Sequence, residues 1–379
     1  MPVAQGSLTL ALITAGSALV MALISVPLLA RVAPRLGLLD LPGGHKQHHG
    51  AIPVVGGIAI FLSATAAVVW CGPPLLVQHS FFLLACLLVL CVGVVDDRGH
   101  VAPRLRLGLQ TLVVTATYLA LGFKVNSLGN LFGTGSIELG VLALPFAILA
   151  TVALVNAFNM LDGLDGLAGG VALIAMLALC ALSLQESRPL LMAATAASGG
   201  AILGFLMFNL PMPIRSRGLV FMGDGGSTLL GFGIAAMCMG QMVDKAPGYG
   251  FQDFGSNVHP AELLWLVAIP VFEICSTTLR RLKARVSPMQ ADNGHYHHRL
   301  LGAGWSVRSV FLLYLLFSLA AMLTGLSMHR LDLSDPVIFW AFVGVFGLWH
   351  LAVVTAERRG LRRQAALVAV GPGQARRTS

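Results

Sequence analysis

Long apolar runs, separated by short polar segments, make up most of the chain. A membrane-spanning helix needs about 20 predominantly apolar residues, and eleven runs approach or reach that length. The run near 80–95 is short and the run near 219–239 is rich in glycine, so these two are the weakest. The pattern predicts an all-α polytopic membrane protein with about eleven transmembrane helices, near 7–30, 51–70, 80–95, 107–123, 139–157, 167–184, 190–208, 219–239, 260–279, 309–328 and 336–356.

The composition agrees with a membrane protein. Of the 379 residues, 56% are hydrophobic and only 11% are charged, whereas about 25% of the residues in a soluble domain are charged. The six cysteines lie inside or at the ends of apolar runs and form no C-x-x-C pair, which indicates small apolar residues and not a disulfide framework or zinc site. No basic residue precedes the first apolar run, so we expect a retained span and not a cleaved signal peptide.

The distribution of Lys and Arg predicts the orientation, because basic residues accumulate in cytoplasmic loops. With the N-terminus outside, 20 of the 24 basic residues lie on the cytoplasmic side, and the exceptions are Lys124, Arg188, Lys245 and Arg330. The C-terminus is then cytoplasmic. We expect one integral membrane domain over 1–356 and a basic, disordered cytoplasmic tail over 357–379. The basic loops also account for the net charge of +8, so no nucleic-acid partner is expected.

Two acidic residues end the third run, in the sequence VVDDRG. Asp96 and Asp97 repel each other, and an Asp at mid-helix costs about 2.5–3.5 kcal/mol to insert into a membrane, with less cost near the interface. One interpretation is an interfacial stop paired with Arg98. The other is a pair of carboxylates that acts as a base or binds a metal–phosphate group.

A second polar cluster joins two apolar runs in NAFNMLDGLDGLAGG. Its polar residues recur at every third position, so on a helix they would form one slowly drifting stripe. Oxygen ligands of this kind suit Mg²⁺ and its waters. A polar loop is the alternative, although it would not need four such residues in register: Asn156, Asn159, Asp162 and Asp165.

A third segment, FMGDGGST at 221–228, places glycines and Asp224 at the predicted start of a span. Glycines allow backbone N–H groups to approach an anion, and the helix start supplies a positive dipole end. Asp224 would repel a phosphate unless a cation lay between them, which again suggests Mg²⁺. The glycines alone are equally consistent with close helix packing.

Two loops on the predicted cytoplasmic side are rich in histidine. The loop over 280–308 contains SPMQADNGHYHHRLL, whose histidines lack the frame of a zinc site and are better suited to donate hydrogen bonds to a diphosphate. A solvated basic surface is the alternative. The loop DLPGGHKQHHGAIPVVGG at 40–57 is a candidate wall of the same site. The candidate residues are Lys46, Asp292, His295, His297, His298 and Arg299.

Together these five segments resemble the polyprenyl-phosphate N-acetylhexosamine-1-phosphate transferase family, which is of the glycosyltransferase family 4 type. The resemblance runs from about residue 35 to 310, and VVDDR, NAFNMLDGLDGLAGG, FMGDGGSTLLGF and HYHHRLL occur in the family's order and spacing. It implies a helical fold in the bacterial plasma membrane, with an active site that opens to the cytoplasm, and members are often homodimers. It implies transfer of a sugar-1-phosphate, with GlcNAc-1-phosphate preferred, from a UDP-sugar to undecaprenyl phosphate. UMP would be released, Mg²⁺ would be the cofactor with Mn²⁺ as a substitute, and the product would start a lipid-linked surface glycan.

The resemblance also implies roles for individual residues. Asn159 and Asp224 would hold Mg²⁺ against the donor diphosphate. Asp96 would prepare the lipid-phosphate nucleophile, with Asp97 beside it. The remaining candidates would bind the substrates: Lys46, Asn156, Asp162, Asp165, Asp292, His295, His297, His298 and Arg299.

Two positions depart from the family pattern. His45 stands where relatives usually have Arg, and Glu273 in IPVFEICS stands where Asp is common. Neither belongs to the expected metal site, so both concern the donor sugar and not the type of reaction.

Several alternatives stay open. The lipid phosphate attacks the sugar-bearing phosphorus directly, or a covalent aspartyl-phosphate forms on Asp96. UDP-FucNAc, UDP-QuiNAc, UDP-GalNAc and UDP-MurNAc-pentapeptide are alternative donors. A membrane transporter is the alternative of a different class, but transport sites usually lie near the midplane of the bilayer, and these acids are predicted at its cytoplasmic boundary.

Overall fold

A computed structural model describes residues 2–41, 50–71, 73–99, 101–211, 217–242, 258–287 and 294–370. Within these ranges the chain forms α-helices and one small antiparallel sheet of β1 (Leu39–Asp40) and β2 (Ile52–Pro53). The helices are α1 (Pro2–Leu36), α2 (Gly56–Cys71), α3 (Pro73–Gly99), α4 (Pro103–Leu121), α5 (Ala143–Leu161), α6 (Leu167–Gln185), α7 (Pro189–Asn209), α8 (Gly223–Met242), α9 (Pro260–Leu266), α10 (Ala268–Lys283), α11 (Tyr296–Gly302), α12 (Val307–Arg330) and α13 (Asp335–Val370).

Every predicted apolar run coincides with a helix, and the ninth run is the pair α9 and α10. In the part of the chain that the structure describes, seven helices are long and apolar enough to cross a membrane, or eight if the α9–α10 pair counts as one span. The predicted class, an all-α polytopic membrane protein, is therefore confirmed. The count of eleven spans stays a prediction, because α2 is short and α4 and α8 are not among the seven. The orientation of the ends also stays a prediction.

The last helix extends beyond the boundary predicted for the membrane domain. We expected a disordered tail from residue 357, but α13 continues to Val370. Arg and Ala are the commonest residues of this extension, and both favour helix. The side chain of Gln364 also donates to the carbonyl of Gly302. The predicted tail is therefore helical as far as residue 370, and its last part, 371–379, lies outside the described residues.

The helix α8 lies at the centre of the bundle, and every residue from Gly225 to Gln241 is buried. It packs against α2, α3 and α5. A Cβ atom at Gly93 of α3 would overlap the Cα atom of Gly225, and one at Gly57 of α2 would overlap the backbone of Gly226. Such close backbone approach through small residues is common between membrane helices. It places the end of α3, with its two aspartates, directly beside the start of α8.

Backbone hydrogen bonds fix the starts of α2 and α8 side by side. The N–H of Phe221 donates to the carbonyl of Pro53 at 2.8 Å, and the N–H of Gly56 donates to the carbonyl of Phe221 at 3.0 Å. Both helices therefore begin at the same level, next to the small sheet. This arrangement positions Asp224 in the first turn of α8.

The pair α9 and α10 is bent by 91°. Pro270 lies in the first turn of α10 and has no N–H to donate to Leu266, so the hydrogen-bond pattern of a straight helix is interrupted at the bend. Beside the bend, an apolar cavity of about 400 Å³ lies between α5, α8 and the bent pair, lined by residues such as Leu154, Cys238 and Val267.

The close contact between α3 and α8 can be tested by adding one methyl group. Gly93→Ala should lower the free energy of unfolding by about 1–3 kcal/mol, because the new Cβ meets backbone atoms that cannot move aside. Gly108→Ala in α4 is the matched control, since a Cβ there meets open space and Ala favours helix. Thermal unfolding in detergent measures both, and equal stability of the two variants would contradict the packing.

Candidate active site

The side chains of Asp224 and Asn159 meet at the start of α8. Asn159 lies near the end of α5, and its Nδ2 donates to Asp224 Oδ1 at 2.5 Å and to Ser227 Oγ at 3.1 Å. Asp224 is only partly buried, with 37% of its side chain exposed. The two residues predicted to hold a metal therefore lie together, beside an opening from which a ligand can approach.

Asp96 is bound to an arginine that the sequence analysis did not single out. Arg106 Nη1 lies 2.6 Å from Asp96 Oδ2 and 3.4 Å from Asp224 Oδ2, so it bridges the two carboxylates. The N–H of Val101 also donates to Asp96 Oδ1. Arg98 instead donates to the carbonyl of Leu36, so the alternative of an Asp96–Arg98 pair is wrong. The feature of the sequence that indicates this contact is the short spacing between α3 and α4, which places Arg106 close to the end of α3.

Asp97 binds the backbone at the start of α8. Its two carboxylate oxygens accept the N–H groups of Asp224, at 2.8 Å, and of Gly225, at 3.0 Å. A carboxylate at this position also interacts favourably with the helix dipole. The anion at these amides is thus Asp97 itself, and the glycines serve close helix packing. The interpretation of these two amides as a substrate-phosphate cradle is wrong, and Asp97 positions the first turn of α8.

The predicted helical stripe of four polar residues is only half helical. Asn156 and Asn159 lie on α5, but this helix ends at Leu161, and Asp162 and Asp165 lie in the turn that leads to Gly166. The chain leaves the helical conformation at Asp162, which has φ −78° and ψ 40°, and Gly166, with φ +80°, is the residue before α6 begins.

The turn contains a carboxylate, Asp162, whose ionised form is disfavoured by its surroundings. Burial raises the pKa of Asp162 well above its usual range, and the negative charges of Asp224, Asp97 and Asp165 add to the effect. A bound cation nearby would offset these charges and favour the ionised form of Asp162.

A buried amide holds the turn in place, and no motif in the sequence indicates it. Asn209, at the end of α7, accepts the N–H of Gly166 at 2.7 Å and donates to the carbonyl of Val220 at 2.9 Å. Asp165 accepts the N–H of Gly218 at 3.0 Å. The turn is thus fixed to the segment that precedes α8.

The predicted histidines lie on or beside the short helix α11. The ring centroids of His295 and His297 are 5.8 Å apart, and those of His297 and His298 are 4.2 Å apart. A Cβ at Gly163 would lie 2.6 Å from His297 Nε2, so this ring lies against the turn next to Asp162. The histidine helix and the carboxylates are therefore neighbours in the fold.

The other predicted residues either contact neighbouring helices or lie outside the described residues. Arg299 binds Glu357 of α13 through Nε and Nη2, so it fastens α11 to α13 in this structure. Asn156 donates to Val152 in its own helix and contacts Gln110 of α4 at 3.4 Å. Lys46 and Asp292 lie outside the described residues, as does His45.

Among the described residues, no group of three or more His, Cys, Asp or Glu side chains is arranged to hold a metal ion. Asp224 and Asn159 nevertheless supply two oxygen-bearing side chains beside several carboxylates. Mg²⁺ is usually bound by one or two carboxylates together with waters and substrate phosphates, and not by an all-protein cage. The donor set therefore fits Mg²⁺ if the substrate completes it, with the amide of Asn159 turned to present its oxygen.

The chain matches Glycosyl transferase family 4 over residues 79–241, which include the carboxylates described above. It is 32% identical over 330 residues to an undecaprenyl-phosphate alpha-N-acetylglucosaminyl 1-phosphate transferase from Yersinia pestis, covering 86% of this chain and 87% of the relative. Proteins of the same name from Pasteurella multocida and Haemophilus influenzae are each 30% identical, over 88% and 86% of this chain and 92% and 90% of the relatives. With this identity over nearly its full length, the chain belongs to glycosyl transferase family 4.

Proposed function

We propose that this protein transfers N-acetylglucosamine-1-phosphate from UDP-GlcNAc to undecaprenyl phosphate and releases UMP. The observation on which this rests is the similarity over most of the chain to transferases named for this reaction, together with the meeting of Asp96, Asn159 and Asp224 at one site. The product would start a lipid-linked glycan of the cell surface.

The charges of the site suit a reaction between two anions. A lipid phosphate must approach a diphosphate against their mutual repulsion, so positive groups have to stabilise the transition state. Arg106 lies between Asp96 and Asp224, and the histidines of α11 lie on the other side of the Gly163 turn. Asp96, in contact with Arg106, is the proposed residue that prepares the lipid phosphate.

Mg²⁺ is the proposed cofactor, and Mn²⁺ is the proposed substitute. Asp224 and Asn159 would hold it, and Asp162 and Asp165 would line the nucleotide side. When bound, Mg²⁺ supplies positive charge to the diphosphate and to the developing charge on the leaving group. The described protein residues bind and orient the substrates around it, with Asp97 fixing the start of α8.

A membrane setting with the site at the cytoplasmic face is the proposed arrangement. It is supported by the 20 of 24 basic residues that fall on the side of the polar segments when the N-terminus is placed outside. Eleven spans are proposed from the apolar runs, and the bacterial inner membrane is proposed from the family resemblance. A homodimer is part of the proposal only through the family resemblance.

A long isoprenoid acceptor is supported by the apolar cavity beside the bent helix pair. The cavity is lined by Ala235 and other apolar residues of α8. Ala235 lies eleven residues along α8 from Asp224, about 16 Å at 1.5 Å per residue. A polyprenyl chain whose phosphate lies at Asp96 would be long enough to reach it.

The proposed reaction is tested by UMP release from the purified protein with UDP-GlcNAc and undecaprenyl phosphate. Asp224→Asn should lower kcat at least about 100-fold, because it removes a charge on which the electrostatic stabilisation depends. Asp332→Asn is the matched control, since Asp332 is exposed in the turn before α13 and its φ of +51° is compatible with Asn.

Two results would contradict the proposal. Full activity of Asp224→Asn would refute the assignment of Asp224 to the active site. If the wild type released no UMP, the proposed reaction with UDP-GlcNAc would be refuted. The same assay with UDP-GalNAc, UDP-FucNAc, UDP-QuiNAc and UDP-MurNAc-pentapeptide would then show whether the protein uses a different donor sugar.

Direct attack of the lipid phosphate on the sugar-bearing phosphorus is the proposed mechanism. In that case UDP-GlcNAc alone should leave no phosphate on the protein. Rapid quenching of the wild type with donor labelled in the sugar-bearing phosphate measures this, and Asp96→Asn controls for non-covalent carry-over. A labelled enzyme that forms in the wild type but not in Asp96→Asn would establish the covalent route instead.

The protonation of His298 gives a prediction for donor binding. Burial lowers the pKa of His298 to about 4, and His297 and His295 add to the effect, so the free enzyme has a neutral ring at pH 7. A diphosphate beside the ring would favour its charged form and raise this pKa, so binding takes up protons. The KM for UDP-GlcNAc should therefore decrease as the pH falls from about 7.5 to about 6.

His298→Gln should lose this part of the pH dependence, because glutamine donates a hydrogen bond without titrating. The difference between the wild type and the variant isolates the ring from the titration of the substrate. Identical pH profiles would show that His298 does not bind the diphosphate.

A further inference from the structure

The carboxylate of Glu273, in the middle of α10, is buried among polar groups of two other helices. The residue is 1% exposed. Its Oε1 accepts the hydroxyl of Tyr314 in α12 at 2.6 Å, and its Oε2 accepts the N–H of Tyr296, the first residue of α11, at 3.2 Å. Burial of a carboxylate is costly unless it is well bound, and these contacts join three helices.

Two histidine rings of the candidate site face this carboxylate. His297 Nδ1 lies 3.7 Å from Glu273 Oε1, and His295 Nδ1 lies 4.0 Å from Oε2. His295 also contacts the hydroxyl of Thr277 at 3.3 Å. The negative charge of Glu273 is therefore adjacent to two histidines of the candidate site.

The ring of His297 connects Glu273 to the turn that contains Asp162. His297 is fully buried, and within the described residues neither ring nitrogen has a hydrogen-bond partner. Nδ1 faces Glu273, and Nε2 lies where a Cβ of Gly163 would be. Because Gly163 has no side chain, the ring of His297 can occupy this position. A displacement of the ring would therefore also displace the turn that it contacts.

The opposite side of α11 is fixed independently. The hydroxyl of Tyr296 contacts His350 Nδ1 of α13 at 2.6 Å, and Arg299 pairs with Glu357 of the same helix. These contacts attach α11 to α13. The orientation of the histidines then depends on the contacts of α11 with Glu273, whose carboxylate Tyr314 orients.

We propose that Glu273 is a positioning residue that acts through His297. Its carboxylate faces Nδ1 of His297 and holds the ring between α10 and the Gly163 turn, so that the histidine helix keeps its alignment toward the UDP-sugar diphosphate. This inference rests on the proposed function. Tyr314 contributes to the same positioning, because its hydroxyl donates to the carboxylate of Glu273 and orients it.

The test compares the kinetics of Glu273→Gln with those of the wild type in the UMP-release assay. Loss of a residue that orients a ligand-binding side chain typically costs about 10–100-fold. We expect kcat/KM for UDP-GlcNAc to fall by about that factor, while the KM for undecaprenyl phosphate changes less than about twofold. Glu273→Asp, which keeps the charge, should recover most of the loss.

Glu262→Gln is the matched control. Glu262 is also a buried glutamate, 3% exposed, and it accepts from a histidine, His329 Nδ1 at 2.9 Å. It lies in α9, on the other side of the 91° bend. Its substitution should affect stability without changing the donor kinetics. Equal losses of donor kcat/KM in both variants would mean that any buried glutamate has this effect, and would overturn the proposal.

A double-mutant cycle separates positioning from general stability. In a His297→Ala background, Glu273→Gln should change donor kcat/KM by less than about twofold, because the residue through which it acts is gone. The full loss in that background would overturn the proposal, as would wild-type kinetics of a folded Glu273→Gln single variant. If Glu273→Gln does not fold, Tyr314→Phe takes its place in the same cycle with the same two outcomes.

Failure of this inference is distinguishable from failure of the proposed function. A wild type that forms no UMP would refute the function. A wild type that forms UMP, with a Glu273 variant that leaves the donor kinetics intact, would refute only the positioning role.

Discussion

Repulsion among carboxylates at the start of α8 is the constraint on which the rest of the structure depends. Asp96, Asp97, Asp162 and Asp224 come from three separate segments and meet where α8 begins. Three of them are compensated, each in a different way: Asp96 by Arg106, Asp97 by two backbone amides, and Asp224 by the amide of Asn159. The compensation is incomplete at Asp162 and at the exposed side of Asp224, and this is where a cation and an anionic substrate can be accommodated together.

The surrounding helices are arranged to maintain this concentration of charge. Glycine contacts bring the backbones of α2 and α3 against α8, so that the carboxylates of α3 reach the first turn of α8. Asn209 holds the turn after α5, and the histidine helix is fastened by α10, α12 and α13. The positions of the reacting groups therefore depend on packing in the middle of the bundle as much as on the residues of the site.

Hydrophobic runs predicted the helices well, because membrane spans must be long and apolar, and the motif order predicted the family. The sequence could not predict contacts that depend on tertiary folding. Arg106 was counted only as a basic loop residue until the turn after α3 placed it beside Asp96. The glycines at 223–226 were compatible with phosphate binding until Asp97 was found on the amides. The polar residues at 156–165 do not form one helical stripe, because the chain leaves the helical conformation at Asp162. The tail is helical to Val370, because its local propensity favours helix.

We propose that the carboxylates around Asp224 form a cation site that the donor diphosphate completes. Electron paramagnetic resonance of Mn²⁺ with the purified protein tests this directly. Tight binding of Mn²⁺ should require UDP-GlcNAc and should be lost in Asp224→Asn. Mn²⁺ binding that is equally tight without the nucleotide sugar, or that is unchanged in Asp224→Asn, would contradict the account.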